Sequence, residues 1–523
     1  MAAVTAVGAQ RQARGIPASP DDKTIVHVLN RLGFGPAPGD VERVRNLGLQ
    51  AYINRQLHPE RIPDTAMAAR LAGFETLAMS TRQLAEDYYL PAQMQRRQAQ
   101  RAAAADAANP EMMRPAPERP APGAMQGERR VLAELTQQKI LRAAYSERQL
   151  EEVMVDFWFN HFNVFVGKGQ TRLYLTEYER DTIRPRAFGT FRDLLGAVAE
   201  SPAMLFYLDN WQSSAPQGAE TSMQQRRGRA ARQPQMAQPP PQNRRRGINE
   251  NYARELMELH TLGVDGGYTQ KDVQEIARAF TGWTIDMPRQ GGSFRFDPRM
   301  HDSGEKIVLG VTIPGGGGKK DGEMVLDALA AHPSTAKFIA TKLARRFVAD
   351  DPPAALVERA ARRFRETSGD IREVVRVIVT SQEFFAPSAY RAKVKTPLEF
   401  VASAVRASGV DVRNGQPLVN ALRELGMPLY GCQPPTGYAD RAEAWVNTGA
   451  LLNRMNFAVM LSGNRLRGPG GRQAGGAPIP QDRIAAEIMA GDVSETTRQT
   501  IAKAANEPQK IALLLGSPEF QRR

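Results

Sequence analysis

Residues 248–285, INENYARELMELHTLGVDGGYTQKDVQEIARAFTGWTI, read as two helices joined by a glycine turn. On both sides of the turn the apolar residues recur every three or four positions, the period of a helix and not of a strand. Gly263 is a helix stop, and Thr269 with Asp272 three residues on is the start of a second helix. At about 100° per residue, Tyr252, Glu255, Leu259 and Leu262 share one face. Asn251 and Glu258 fall on its border, and Glu250, Arg254 and Thr261 point away. Glu255 is thus expected on an apolar face, where an ionised carboxylate needs a partner. Arg180, Arg184 and Arg278 are the candidates for an ion pair. The other expectation is a site: Glu255 and Glu258, three apart, can converge on one cation. His260 falls about 140° from Glu255 and cannot share a small-ion site on an unbroken helix. Met257 excludes Glu-x-x-His, and with it the di-iron bundle signature; His-Glu-x-x-His is absent too.

Outward from this stretch the helical period continues. Residues 24–34, 40–57, 130–165, 333–348, 353–367, 370–385 and 395–408 all carry it, with Pro or Gly at the breaks. Ser201-Pro202 is a further helix start. Strand signals are sparse: GSFRFD and KIVLGVTI, near 292–313, can pair as one small β-hairpin. The expected fold class is mostly α, a large multi-helix body with that hairpin and disordered insertions. The expected order is a disordered N-terminus at 1–23, an N-terminal helical part at 24–91, and a low-complexity insert at 92–130. A central helical part at 131–211 follows, then a disordered Arg/Pro/Gln-rich insert at 212–247. The main helical body is 248–463, a linker 464–480 and a C-terminal helical tail 481–523.

The net charge is +13 over 523 residues. The two inserts hold +9 of it, with seven arginines each. A basic groove on the folded body is not indicated, and nucleic acid is not an expected partner. No run approaches the ~18 apolar residues of a membrane span. The N-terminus lacks a continuous apolar core after a basic start, so it does not read as a secretory signal; the expectation is either a cytoplasmic chain, as written, or a natural start other than this one. Cys432, the single cysteine, excludes intrachain disulfides and cysteine-based zinc sites.

Three more segments carry candidate chemistry. In EVMVDFWFNHFNVF, His161 lies on an aromatic face with Val153, Phe157 and Val164, while Asp156, Asn160 and Asn163 form a separate polar stripe. His161 gains interest if a carboxylate such as Glu255 orients its ring. In FDPRMHDSGEKIVLG, His301 and Asp302 stand in a loop, where chemistry often sits. In YLDNWQ, Asp209 and Asn210 precede the Arg-rich insert and the opening stretch follows it, so both are expected near one another at the surface. IPGGGGKKDGE is not a phosphate loop, and no Gly-x-Ser-x-Gly elbow is present.

Several of these segments occur together in a known order. HVLNRLGFGPAPGDVERV, FWFNHFNV, YERDTIRPRAFGTFRDLLGAVAESPAMLFYLDN, NENYARELMELHTLGVDGGYTQKDVQEIARAFTGWT, HDSGEKIVLG, HPSTAKFIATKLARRFVADDPP, KVKTPLEFVASAVRA and GMPLYGCQPPTGYAD follow one another. Over about residues 24–463, outside the inserts, the chain resembles the large bacterial family of domain of unknown function 1800. The resemblance implies no assigned activity and no catalytic residues. It implies frequent export, beside an exported phosphatase- or sulfatase-like protein. Two functions are therefore expected. The first is a hydrolase-type enzyme with a carboxylate-centred site of Glu255, Glu258, His161, His301 and Asp302, with Glu255, Glu258 and His161 holding a divalent metal ion. The second is a non-enzymatic helical scaffold or partner for that phosphatase/sulfatase-like protein.

Overall fold

The computed structural model describes residues 15–108, 123–215, 247–466 and 478–523. Most of the segments expected to be disordered, and most of the linker, fall outside these residues. The insert at 92–130 falls outside only in part. The helix Leu90–Ala108 runs into it and the helix Gly123–Tyr145 begins within it. The alanine run has the highest helix propensity. Glu128 adds a tie, pairing with Arg96 and, at 2.7 Å, with Arg172.

Capping residues set the helix ends much as the sequence predicts. Ser201 caps Pro202–Tyr207, with Pro202 in the first turn. Thr269 and Asp272 form a reciprocal box at the start of Gln270–Ala279. Gly263 takes φ +82°, the left-handed conformation that a side chain resists. The 130–165 run is two helices, Gly123–Tyr145 and Gln149–His161, rather than one.

Strand pairing differs from the expected single hairpin. Phe294–Phe296 pairs antiparallel with Trp283–Ile285, the end of the opening stretch. Lys306–Val308 pairs instead with Val311–Ile313. Leu309 and Gly310 have φ 49° and 79°, so a two-residue turn with both φ positive folds the second segment onto itself.

The helix Pro333–Phe347 packs against Ala354–Glu366, which packs against Ile371–Val379; Thr448–Ser462 packs against Glu507–Leu515. One continuous apolar cluster runs from Ile25 to Phe520. The N-terminal, central, main and C-terminal parts thus share a core. Among the described residues no helix is long and apolar enough to cross a membrane.

Candidate functional site

The opening helix does not stay α-helical. After Glu250–Glu255, residues Leu256–Thr261 form a π-helical turn. The wider turn re-aims the side chains beyond Glu255. Thr261, expected to point away, is fully buried and donates to the Leu256 carbonyl at 2.7 Å. Glu255, Glu258 and Leu259 are only partly buried. The expected ion pair of Glu255 is not formed. Arg184 is engaged by Glu152, Arg278 by Glu275 and Asp302, and Arg180 by Asp181 and the carbonyls of Leu77 and Met79. Burial, with Glu258 beside it, raises the Glu255 pKa. Glu258 accepts from Tyr268 Oη at 2.6 Å and lies 3.5 Å from Arg254.

The sign of the Glu255 shift gives a test. A carboxyl whose folded pKa is raised subtracts stability once it ionises and costs nothing below its unfolded value, about pH 4. Glu255→Gln should therefore raise the melting temperature at pH 7, by less than about 1 kcal/mol of stability, and leave it unchanged near pH 4. Calorimetry at the two pH values checks this.

The other candidates are dispersed. His301 is buried; its Nδ1 lies 2.8 Å from the Thr281 carbonyl and its Nε2 3.1 Å from Asp321 Oδ2. Both ring nitrogens face oxygen acceptors. Asp302 is bridged by two nitrogens of Arg278, at 2.9 and 3.0 Å. These contacts tie the His301-Asp302 loop into a buried polar network with Arg278 and Asp321. Asp209 is exposed and pairs with Lys168, whereas Asn210 is buried and donates to the Phe280 carbonyl at 3.1 Å. The two motifs do meet: Asn249 Nδ2 donates to the Leu208 carbonyl at 2.7 Å. Among the described residues no three His, Cys, Asp or Glu side chains are gathered as a metal ion would require. Glu255 and Glu258 lie beside one another, but His161 does not join them in such a group.

The partners of His161 define a different site. The polar stripe beside His161 is a clamp, not a solvated edge. Asn160 Nδ2 donates to the Tyr438 carbonyl at 2.8 Å, and the Tyr438 N–H donates back to Asn160 Oδ1 at 2.7 Å. Asn163 Nδ2 donates to the carbonyls of Cys432 and Pro434 at 3.0 and 2.8 Å. Asp156 pairs with Lys139 at 3.1 Å. The held loop passes so close that a Cβ at Gly437 would stand 2.2 Å from the Asn160 carbonyl oxygen, and Gly437 takes φ +74°. Cys432 in this loop is buried, which pushes its thiol up to about 11, so it is not a thiolate at neutral pH.

The clamped loop borders a cavity of about 230 Å³, lined by Phe157, His161, Lys342, Arg345, Tyr438 and Asp440 among others. The His161 Nε2–H donates to the His260 carbonyl at 3.0 Å. That fixes the tautomer, and Nδ1 is left to accept from Lys342 Nζ at 2.8 Å. Burial and the neighbouring Lys342 hold His161 well below the usual imidazole range. Lys342 has no carboxylate within ion-pair distance among the described residues. Burial, then the neighbouring Arg345, pulls its amine down to about 8, against an opposing pull from Asp440. Asp440 is itself held by Lys393 at 2.9 Å. Arg345 donates through Nε to the Asp350 carbonyl at 2.9 Å, and its terminal nitrogens make no hydrogen bond among the described residues.

The site therefore offers a weakly basic amine, a neutral imidazole that orients it, and a guanidinium with free donors. Lys342 gave no signal in the sequence, where it reads as an ordinary surface cation of the helix Pro333–Phe347. His161 and Asn160 did, through their aromatic and polar stripes. No curated protein and no solved structure matches the chain. A family model matches residues 27–522, nearly the whole length, and the chain belongs to the family described as protein of unknown function (DUF1800).

Proposed function

We propose that the chain is a hydrolase-type enzyme centred on Lys342 rather than on Glu255, acting on a small molecule that carries an anionic group. The observation that supports this is a cavity-lining amine hydrogen-bonded to a neutral histidine and, among the described residues, unpaired by carboxylate. Lysine that lacks a counter-ion in a protected site becomes an effective base near neutral pH. In this reading the free amine takes a proton from a water molecule as that water attacks a carbonyl or ester carbon. The resulting ammonium returns the proton to the leaving group. His161 is a positioning residue: its Nδ1 accepts one N–H of Lys342 and directs the remaining lone pair. Arg345 supplies free donors for the anionic group of the substrate.

The test is a screen of small carboxylate-bearing esters and amides with the full chain. The rate should rise with an apparent pKa near the value of about 8 found for Lys342. Lys342→Met should lose about 100-fold or more of the rate, the usual weight of a general base, while keeping its melting temperature. Turnover retained in a folded Lys342→Met would refute the assignment. Absence of turnover together with stable capture of a phosphatase- or sulfatase-like protein would favour the scaffold function instead.

A further inference from the structure

A second cavity, of about 460 Å³, lies away from the Lys342 site. Its wall includes Arg359, Arg362 and Arg363 from the helix Ala354–Glu366 and Arg376 from Ile371–Val379. Spacings of three and four residues put the first three on one helix face. Asn54 and Ser381 add neutral polar groups, and the lining carboxylates are Glu366 and Glu383.

The arginines are anchored but not used up. Glu373 pairs with both Arg363 and Arg376, and Arg359 donates to Glu383 at 2.6 Å. Arg376 also donates to Asn54 Oδ1 at 2.9 Å. These contacts fix the guanidinium planes. Among the described residues Arg362 has one carboxylate within ion-pair range, Glu366 at 3.9 Å, beyond hydrogen-bond length. Arg363 is partly exposed; its Nη2 donates to Glu373, while its Nη1 lies 3.9 Å from Glu366, beyond hydrogen-bond length. An arginine fork matches the oxygens of a tetrahedral oxyanion better than it matches any neutral group.

We propose that this cleft binds a multiply charged oxyanion of the phosphoryl or sulfuryl class, with Arg362 and Arg363 as its principal donors. The site is independent of the Lys342 function, and either can fail alone. Isothermal titration of the full chain with sodium pyrophosphate and, separately, sodium sulfate at fixed ionic strength tests it, with sodium chloride as the blank. Saturable binding of at least one of the two anions is expected, and which one binds identifies the class. Arg362→Gln/Arg363→Gln should weaken that binding by about tenfold or more. Lys342→Met should not change it. Arg362→Gln alone, an exposed position that does not threaten folding, should weaken it by about threefold. No saturable heat with either anion would overturn the proposal. So would unchanged affinity in the variants, which would move the binding to other cationic parts of the chain such as the arginines at 212–247.

Discussion

Replacing Glu399 by Gln should lower the unfolding free energy by about 3–5 kcal/mol, the cost of breaking one buried ion cluster from one side. Glu399 is 3% exposed and pairs with Arg346; Arg523 Nε lies 3.0 Å away. Its Oε2 also accepts the Thr396 N–H at 2.8 Å, closing the cap of the helix Pro397–Ser408. Gln keeps the shape and the cap, but leaves two buried guanidiniums without their carboxylate. Burial alone would raise the Glu399 pKa, yet Arg346 and Arg523 reverse it and hold it down to about 2. A carboxylate with a depressed folded pKa contributes stability that is fully present above its unfolded value, about 4.3. That contribution is lost as pH falls toward 2. Guanidinium denaturation of both proteins should therefore show a wide gap in midpoint at pH 7 that narrows by pH 3. A constant gap would mean that the loss comes from packing and not from charge.

The loss in Asp321→Ala should be similar, about 3–5 kcal/mol, and it decides what His301 is for. Asp321 accepts from Lys306 Nζ at 2.7 Å and lies 3.1 Å from His301 Nε2, and the side chains of all three are at most 3% exposed. Those contacts hold the Asp321 carboxyl below the usual range against burial. Truncating it strands a buried ammonium. The double variant Asp321→Ala/Lys306→Met should recover most of the loss, since an apolar replacement of a buried pair is often neutral. A loss below about 1 kcal/mol in the single variant would show that the pair is not structural. It would return His301 to the list of groups available for chemistry.

The opening stretch shows where reading a sequence stops. Its caps, its glycine stop and its second helix follow from local chemistry: Thr269, Asp272 and Gly263 act on backbone groups within a few residues of themselves. The π-helical turn at Leu256–Thr261 does not, because it depends on what the helix packs against. The wider turn was enough to bury Thr261, which an unbroken helix would point away. The expected Glu255–arginine pair failed for a similar reason. Arg184 and Arg278 satisfy nearer carboxylates, Glu152 and Asp302, and nothing in the sequence ranks those alternatives.

By itself the sequence determined the mostly helical class, several helix starts and the family, because periodicity, caps and motif order are local or linear properties. It also singled out His161, Asn160 and Asn163 as unusual on an aromatic helix. Only the tertiary structure decided what they do. The clamp on residues 432–438, the hydrogen bond from Lys342 to His161 and the scattering of the expected carboxylate site all depend on contacts between residues far apart in the chain. Lys342 is the clearest case. A lysine in a basic amphipathic helix and a lysine lining a cavity have the same one-letter code. What separates them is desolvation and the want of a counter-ion, and those are properties of the fold.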